Sequence, residues 1–221
     1  MLMARPTVAA LYVQTDGCYF GLEGVDPWDI HRDARTYAGP YPVVAHPPCD
    51  RWHMLSAVNH KRWGFVINQD DGCFASALDA VRKWGGVLEH PAQTRAFRFH
   101  GIPKPTSRGW QRTFEGDWIT EVDQAAYGHR AKKTTWLLYH GERAPFELNW
   151  QDARGTHQIG SFDKKLPVMA KNEALATPLA FRELLLSLAR HSNHTTSQFA
   201  KRDRSPVSVS IHTQSDSAGR R

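Results

Sequence analysis

The chain has 221 residues, 23 % charged and 41 % hydrophobic, with 13 Pro, 16 Gly and 12 His, which suits one globular domain with a polar tail and excludes a fibre or a coiled coil. Half of the formal charge of +6 lies in residues 193–221, where five basic residues face two acidic ones, so the remainder is only mildly basic and a nucleic-acid reading must rest on a site. No window approaches the roughly 18 apolar residues of a bilayer span, Arg5 and Pro6 interrupt the stretch where a signal peptide carries its apolar core, and three cysteines make no disulfide framework, so a cytoplasmic protein with reduced thiols and no membrane partner is expected.

Val8 to Val13 is a short apolar, β-branched run ending at Thr15-Asp16-Gly17, and it reads as a buried strand. Val43-Val44-Ala45 is a second, running into His46-Pro47-Pro48-Cys49, whose prolines cannot continue a ladder and so make a rigid loop at the strand end. Asp70 to Trp84 places Phe74, Leu78 and Val81 at helical spacing, with acidic residues at its start and Gly85-Gly86 at its end. Strand Val87-Leu88 follows and leads into Glu89-His90-Pro91.

A helix followed by a strand is half of a βαβ crossover, so the expected fold is α/β with a mostly parallel sheet flanked by helices. Ligands in such sheets sit beyond the carboxyl ends of the strands, where both polar loops then lie. Residues 95–116 read as a long loop, Trp118–Val122 and Thr134–Tyr139 as a hairpin-like strand pair, and Thr177-Pro178 as the start of a helix carrying Phe181, Leu184, Leu185 and Leu188. Residues 1–192 form one α/β domain in this reading, and residues 193–221 a disordered basic tail rich in Ser, Thr and Arg.

Cys49, braced by two prolines, is a candidate nucleophile, with His46, Arg51 and His53 near enough in sequence to lower its pKa. Cysteine is also among the most buried residue types, so a core role is the competing reading. Glu89 ends an apolar strand, where burial raises a carboxyl pKa and lets it share a proton with a bound heterocycle; a salt-bridged surface acid is the alternative. His46, Cys49 and His53 also stand at H-x2-C-x3-H, with His90 as a conceivable fourth zinc ligand, but stiff prolines and the lack of a second cysteine weigh against a metal. Tyr127-Gly128-His129-Arg130-Ala131-Lys132-Lys133 is a basic turn.

Pro47-Pro48-Cys49, Glu89-His90-Pro91 and the turn from Tyr127 to Lys133, in this order, resemble the catalytic half of the DNA cytosine-5 methyltransferases. More loosely, Leu11 to Glu23 is similar to that family's first strand and glycine-rich turn, and the whole chain looks like small phage and prophage proteins with the same His-Pro-Pro-Cys and Glu-His-Pro landmarks. The resemblance implies a methyltransferase-like, Rossmann-like fold. It implies Cys49 as the nucleophile at pyrimidine carbon 6 and Glu89 as the partner of the ring nitrogen and exocyclic amine. It further implies His46, Pro48, His90, Arg130, Lys132 and Lys133 as substrate contacts, and Tyr12, Gly17 and Gly21 beside S-adenosylmethionine. The implied substrate is a pyrimidine in DNA or a nucleotide, taken out of the base stack, and a phage-encoded chain would work in its host's cytoplasm. The family's F-x-G-x-G turn is not reproduced, since Tyr12, Gln14 and Asp16 occupy those places, and its Asn after the acid is His90 here. The alternatives are an inactive nucleic-acid-binding module using Arg95, Arg98, Arg108, Trp110, Arg112 and the tail, and a zinc-binding protein.

Overall fold

A computed structural model describes residues 7–53, 60–62, 64, 66, 68–160 and 165–192; the tail expected at 193–221 lies outside them. Seven strands among these residues form one sheet: β1 (Val8–Leu11), β2 (Val25–Trp28), β3 (Val43–Ala45), β4 (Gly86–Pro91), β5 (Gln111–Arg112), β6 (Trp118–Asp123) and β7 (Thr134–His140). The helices are α1 (Cys73–Trp84), α2 (Arg95–Phe99), α3 (Lys171–Leu175) and α4 (Leu179–Ser192). The strand order is β2-β1-β3-β4-β7-β6-β5.

The expectation of a mostly parallel sheet is corrected. β1 pairs in parallel with β2 and β3, and β3 with β4, but β4–β7, β7–β6 and β6–β5 are antiparallel and carry more residue pairs. The cause is the short link between β6 and β7, which returns the chain directly beside itself, whereas α1 carries it from β3 to a parallel β4. Residues 95–116 are not a structureless loop either, since they contain α2, capped by the Thr94 side chain, and the short β5.

Strand alternation divides the core into two layers. Ala9, Leu11, Val43, Ala45 and Leu88 face α1, where Phe74, Ala77, Leu78 and Val81 meet them. Val8, Ala10, Val44 and Val87 face α4, against Phe181, Leu185, Leu186 and Leu188. The same period of two carries on past the strand ends and governs which polar side chain reaches which face. Helix α1 begins where Asp70 Oδ2 accepts the Phe74 N–H at 2.8 Å and the Trp52 indole N–H at 2.8 Å.

Gly86 opens β4 with φ 125°, and a Cβ there would stand 1.9 Å from the Val43 carbonyl oxygen, so β3 and β4 approach only because this residue has no side chain. Gly86→Ala is expected to cost about 3 kcal/mol or more, read as a lowered denaturant midpoint, because strain and overlap with a neighbouring backbone add.

Candidate active site

From β1 the chain passes to β2 on one side and then to β3 on the other, so the strand order reverses between β1 and β3. Loops leaving two such strands diverge and open a crevice at their carboxyl ends. A cavity of about 860 Å³ occupies that place, walled by the β1 loop, the His46-to-Cys49 loop, the end of β4, and a segment running through α3 to Thr177. Cys49 and Glu89 both line it.

Glu89 reaches the cavity by strand alternation. Val87 faces α4, Leu88 faces α1, and Glu89 returns to the α4 face. Val44 pairs with Val87 and Ala45 with Leu88, so one residue further on His46 stands beside Glu89. His46 Nδ1 lies 2.9 Å from Glu89 Oε2, both side chains being largely buried (14 % and 11 % exposed), and the Gln124 amide donates to Glu89 Oε1 at 3.3 Å. The Tyr19 hydroxyl meets the far ring nitrogen, His46 Nε2, at 2.8 Å.

The expected rise in the Glu89 pKa is therefore corrected. Burial does push it up, but the His46 hydrogen bond and the charges of His46, Lys133 and His90 outweigh burial and hold the carboxyl below its ordinary value. Cys49 is partly buried, and its surroundings act the other way: burial first, then the charges of Glu89 and Asp50, raise its pKa, while Lys133 lowers it. The resting site thus pairs a thiol with a carboxylate.

His90 takes the opposite face from Glu89. Its ring is fully buried and packs edge-on against Phe74 at 5.3 Å between centroids, on the α1 side. It lines a smaller cavity of about 260 Å³ with Cys49, His53 and Thr94, and not the large cavity, with which the smaller one shares Cys49, His53 and Pro91. Burial lowers its pKa from 6.5 to about 4, more than the charge of Glu89 raises it. The folded chain thus prefers the neutral ring, so stability is fully present above about pH 6.5 and is lost as pH falls toward 4. The loss is about 3 kcal/mol. Denaturant titrations over that range are expected to show this slope in the wild type and its loss in His90→Gln.

The remaining candidates divide. Tyr12, Gly17, His46, Pro48 and Lys133 line the large cavity, whereas Gly21 is exposed and away from it. Tyr12 adopts φ 59°, which turns its ring to the α1 side, where its hydroxyl meets Ser76 Oγ at 2.5 Å. Arg130 and Lys132 do not reach the cavity: Arg130 is paired with Glu173 at 2.6 Å, and Lys132 with Asp152 at 2.6 Å. Arg108 is tied to buried Asp123 at 2.6 Å, Trp110 donates to the Phe146 carbonyl, and Arg112 lies over Trp118, so these serve packing. Arg95 and Arg98 are exposed on α2. Among the described residues no group of three or more His, Cys, Asp or Glu is placed to hold a metal ion, so His46, Cys49, His53 and His90 do not form the zinc set. No helix among them is long and apolar enough to cross a membrane.

Three site residues escaped the sequence reading. Tyr19 and Gln124 complete the hydrogen bonds around His46 and Glu89, and Lys171 adds a second lysine to the cavity wall. Tyr19 carries the only advance signal, an aromatic residue in the loop after β1. Compared with known proteins, the chain matches no family model, no curated protein and no solved structure.

Proposed function

We propose that this chain is a pyrimidine-modifying transferase of the cytosine-5 methyltransferase type. The observation that carries the reading is the meeting of Cys49 and Glu89 in one cavity at the point where the strand order reverses. A thiol and a carboxylate lining one cavity suit attack on an electron-poor ring carbon with a proton partner at the ring nitrogen.

In this reading the Cys49 thiol gives its proton to solvent as Sγ bonds to carbon 6, the electron pair of the carbon 5–carbon 6 double bond moves into the ring, and the ring nitrogen takes a proton from the Glu89 side. Carbon 5 is then nucleophilic. Once carbon 5 carries the methyl group, its proton leaves to solvent, the ring nitrogen gives its proton back, and departure of the thiolate restores the ring. Lys133, whose charge favours both the thiolate and the carboxylate, steadies the site as charge moves.

S-adenosylmethionine is the donor in this reading, and the β1 loop supports it. Tyr12 at φ 59° and Asp16 at φ 55° give the β1 loop the left-handed turns that glycines supply elsewhere, and the cavity beside them lies within the range that holds small-molecule cofactors. Asp29, buried just past the end of β2, is fixed by the Thr15 hydroxyl at 2.8 Å, which ties that loop to its neighbour strand. When bound, the donor supplies an electrophilic methyl group. Tyr12, Gln14 and Gly17 would hold it.

Mass spectrometry of nucleosides from DNA and nucleotide pools of cells expressing the protein tests the reading. A carbon 5-methylated pyrimidine beyond the host background is expected. Its absence, with no binding of S-adenosylmethionine by the purified protein, would overturn it.

A further inference from the structure

The two nitrogens of His46 are both engaged, by Tyr19 on one side and Glu89 on the other, so this ring cannot serve as a free substrate contact. Tyr19 is 3 % exposed, and the three groups come from three different segments: the β1 loop, the end of β3 and β4. With Nδ1 donating to Glu89 Oε2, Nε2 is the acceptor for the Tyr19 O–H. If His46 gains a proton, the Tyr19 oxygen accepts from Nε2–H instead, since a hydroxyl serves either way. The chain therefore accommodates one more proton without any heavy atom moving.

A carboxyl held as its anion has no proton of its own to give a ring nitrogen, yet the reaction proposed above needs one there. We propose that His46, anchored by Tyr19, acts with Glu89 as a single proton-carrying unit and is the positioning residue for the proton exchanged with the substrate ring.

The inference rests on the proposed reading of the site, and its balance is simple. As Sγ bonds to carbon 6, the imidazolium form of His46 gives its Nδ1 proton to Glu89 Oε2, which passes it to the ring nitrogen, leaving a carboxylate and a neutral imidazole whose Nε2 again accepts from Tyr19. When the thiolate departs and the ring nitrogen gives its proton back, the transfer reverses. Only protons move along the chain, and no oxidant or further reactant is needed. The groups facing the unit are Lys133, Cys49 and His90 around Glu89, and Cys18, Arg182 and Glu183 around Tyr19. None of these bonds to either nitrogen of His46.

Infrared difference titration of the purified protein reads the Glu89 carboxyl directly, the band being assigned by its loss in Glu89→Gln. In the wild type the protonated carboxyl band is expected at a pH below the ordinary carboxyl range. In His46→Gln, which keeps a neutral hydrogen-bonding side chain, the band is expected at a pH higher by about one unit or more, and in Tyr19→Phe by less. Turnover of His46→Gln on the modified pyrimidine should fall about 10- to 100-fold with KM little changed and the pH profile displaced. An unchanged carboxyl titration in a folded His46→Gln protein overturns the inference. That spectroscopic arm needs no turnover, so its failure is distinct from an absence of methylated product, which strikes the proposed function instead.

Discussion

Cys49→Ser is expected to lower product formation by more than about 10³-fold while leaving the fold and ligand binding intact. The substitution changes one atom at a partly buried position in a loop braced by Pro47 and Pro48, so packing is nearly conserved. The chemistry is not conserved, because burial and the charges of Glu89 and Asp50 already disfavour the thiolate, and a hydroxyl in the same place ionises far less readily. Liquid-chromatographic assay of product, with thermal unfolding as the control, separates these effects. A variant that retains substantial turnover would remove Cys49 from the chemistry.

Glu89→Gln is expected to reduce turnover by about 10²- to 10⁴-fold, the usual span for loss of a positioned acid–base group. Glutamine is nearly the same shape, and its amide oxygen still accepts from His46, so Tyr19 and His46 have little reason to move, while the Gln124 amide, which donates to the other carboxylate oxygen, turns its own oxygen toward the new N–H. The variant also removes the charge that raises the Cys49 pKa. Cys49 alkylation by iodoacetamide at a fixed mildly alkaline pH should therefore become faster as turnover becomes slower. A structural defect would slow turnover without that opposite movement.

Much of the framework was legible because it is local. The spacing of Phe74, Leu78 and Val81 marks α1, Thr177-Pro178 marks the entry to α4, and the apolar runs at 8–11, 43–45 and 134–139 mark β1, β3 and β7. β2 was not legible, since four residues containing Asp26 and Pro27 do not read as a strand; Pro27 is tolerated because β2 is an edge. β5 has two residues and acquires its identity only from pairing with β6. The change from parallel to antiparallel pairing at β4–β7 depends on where β7 docks, which no local pattern states.

The site divides in the same manner. The proline-braced position of Cys49 and the strand-end position of Glu89 follow from residues within a few places of each. The direction of the Glu89 pKa does not, because His46 lies 43 residues away in the chain and Lys133 is on a distant segment. Arg130 and Lys132 read as free cations until Glu173 and Asp152, far along the chain, are seen to bind them. The opposed directions of Glu89 and His90 follow from the sequence, because adjacent residues of a strand face opposite sides of the sheet.

The central claim, that the Cys49 sulfur bonds to a pyrimidine ring within the crevice between the β1 and β3 loops, is tested most directly by intact-protein mass spectrometry. The wild type and Cys49→Ser are each incubated with S-adenosylmethionine and a single-stranded oligonucleotide containing 5-fluorocytosine, whose fluorine cannot leave carbon 5 as a proton does. The expected result is a stable protein–oligonucleotide adduct on the wild type, mapped to Cys49 by peptide sequencing and absent from Cys49→Ser. A folded wild-type protein that binds the oligonucleotide without forming an adduct, or an equal adduct on Cys49→Ser, would contradict it.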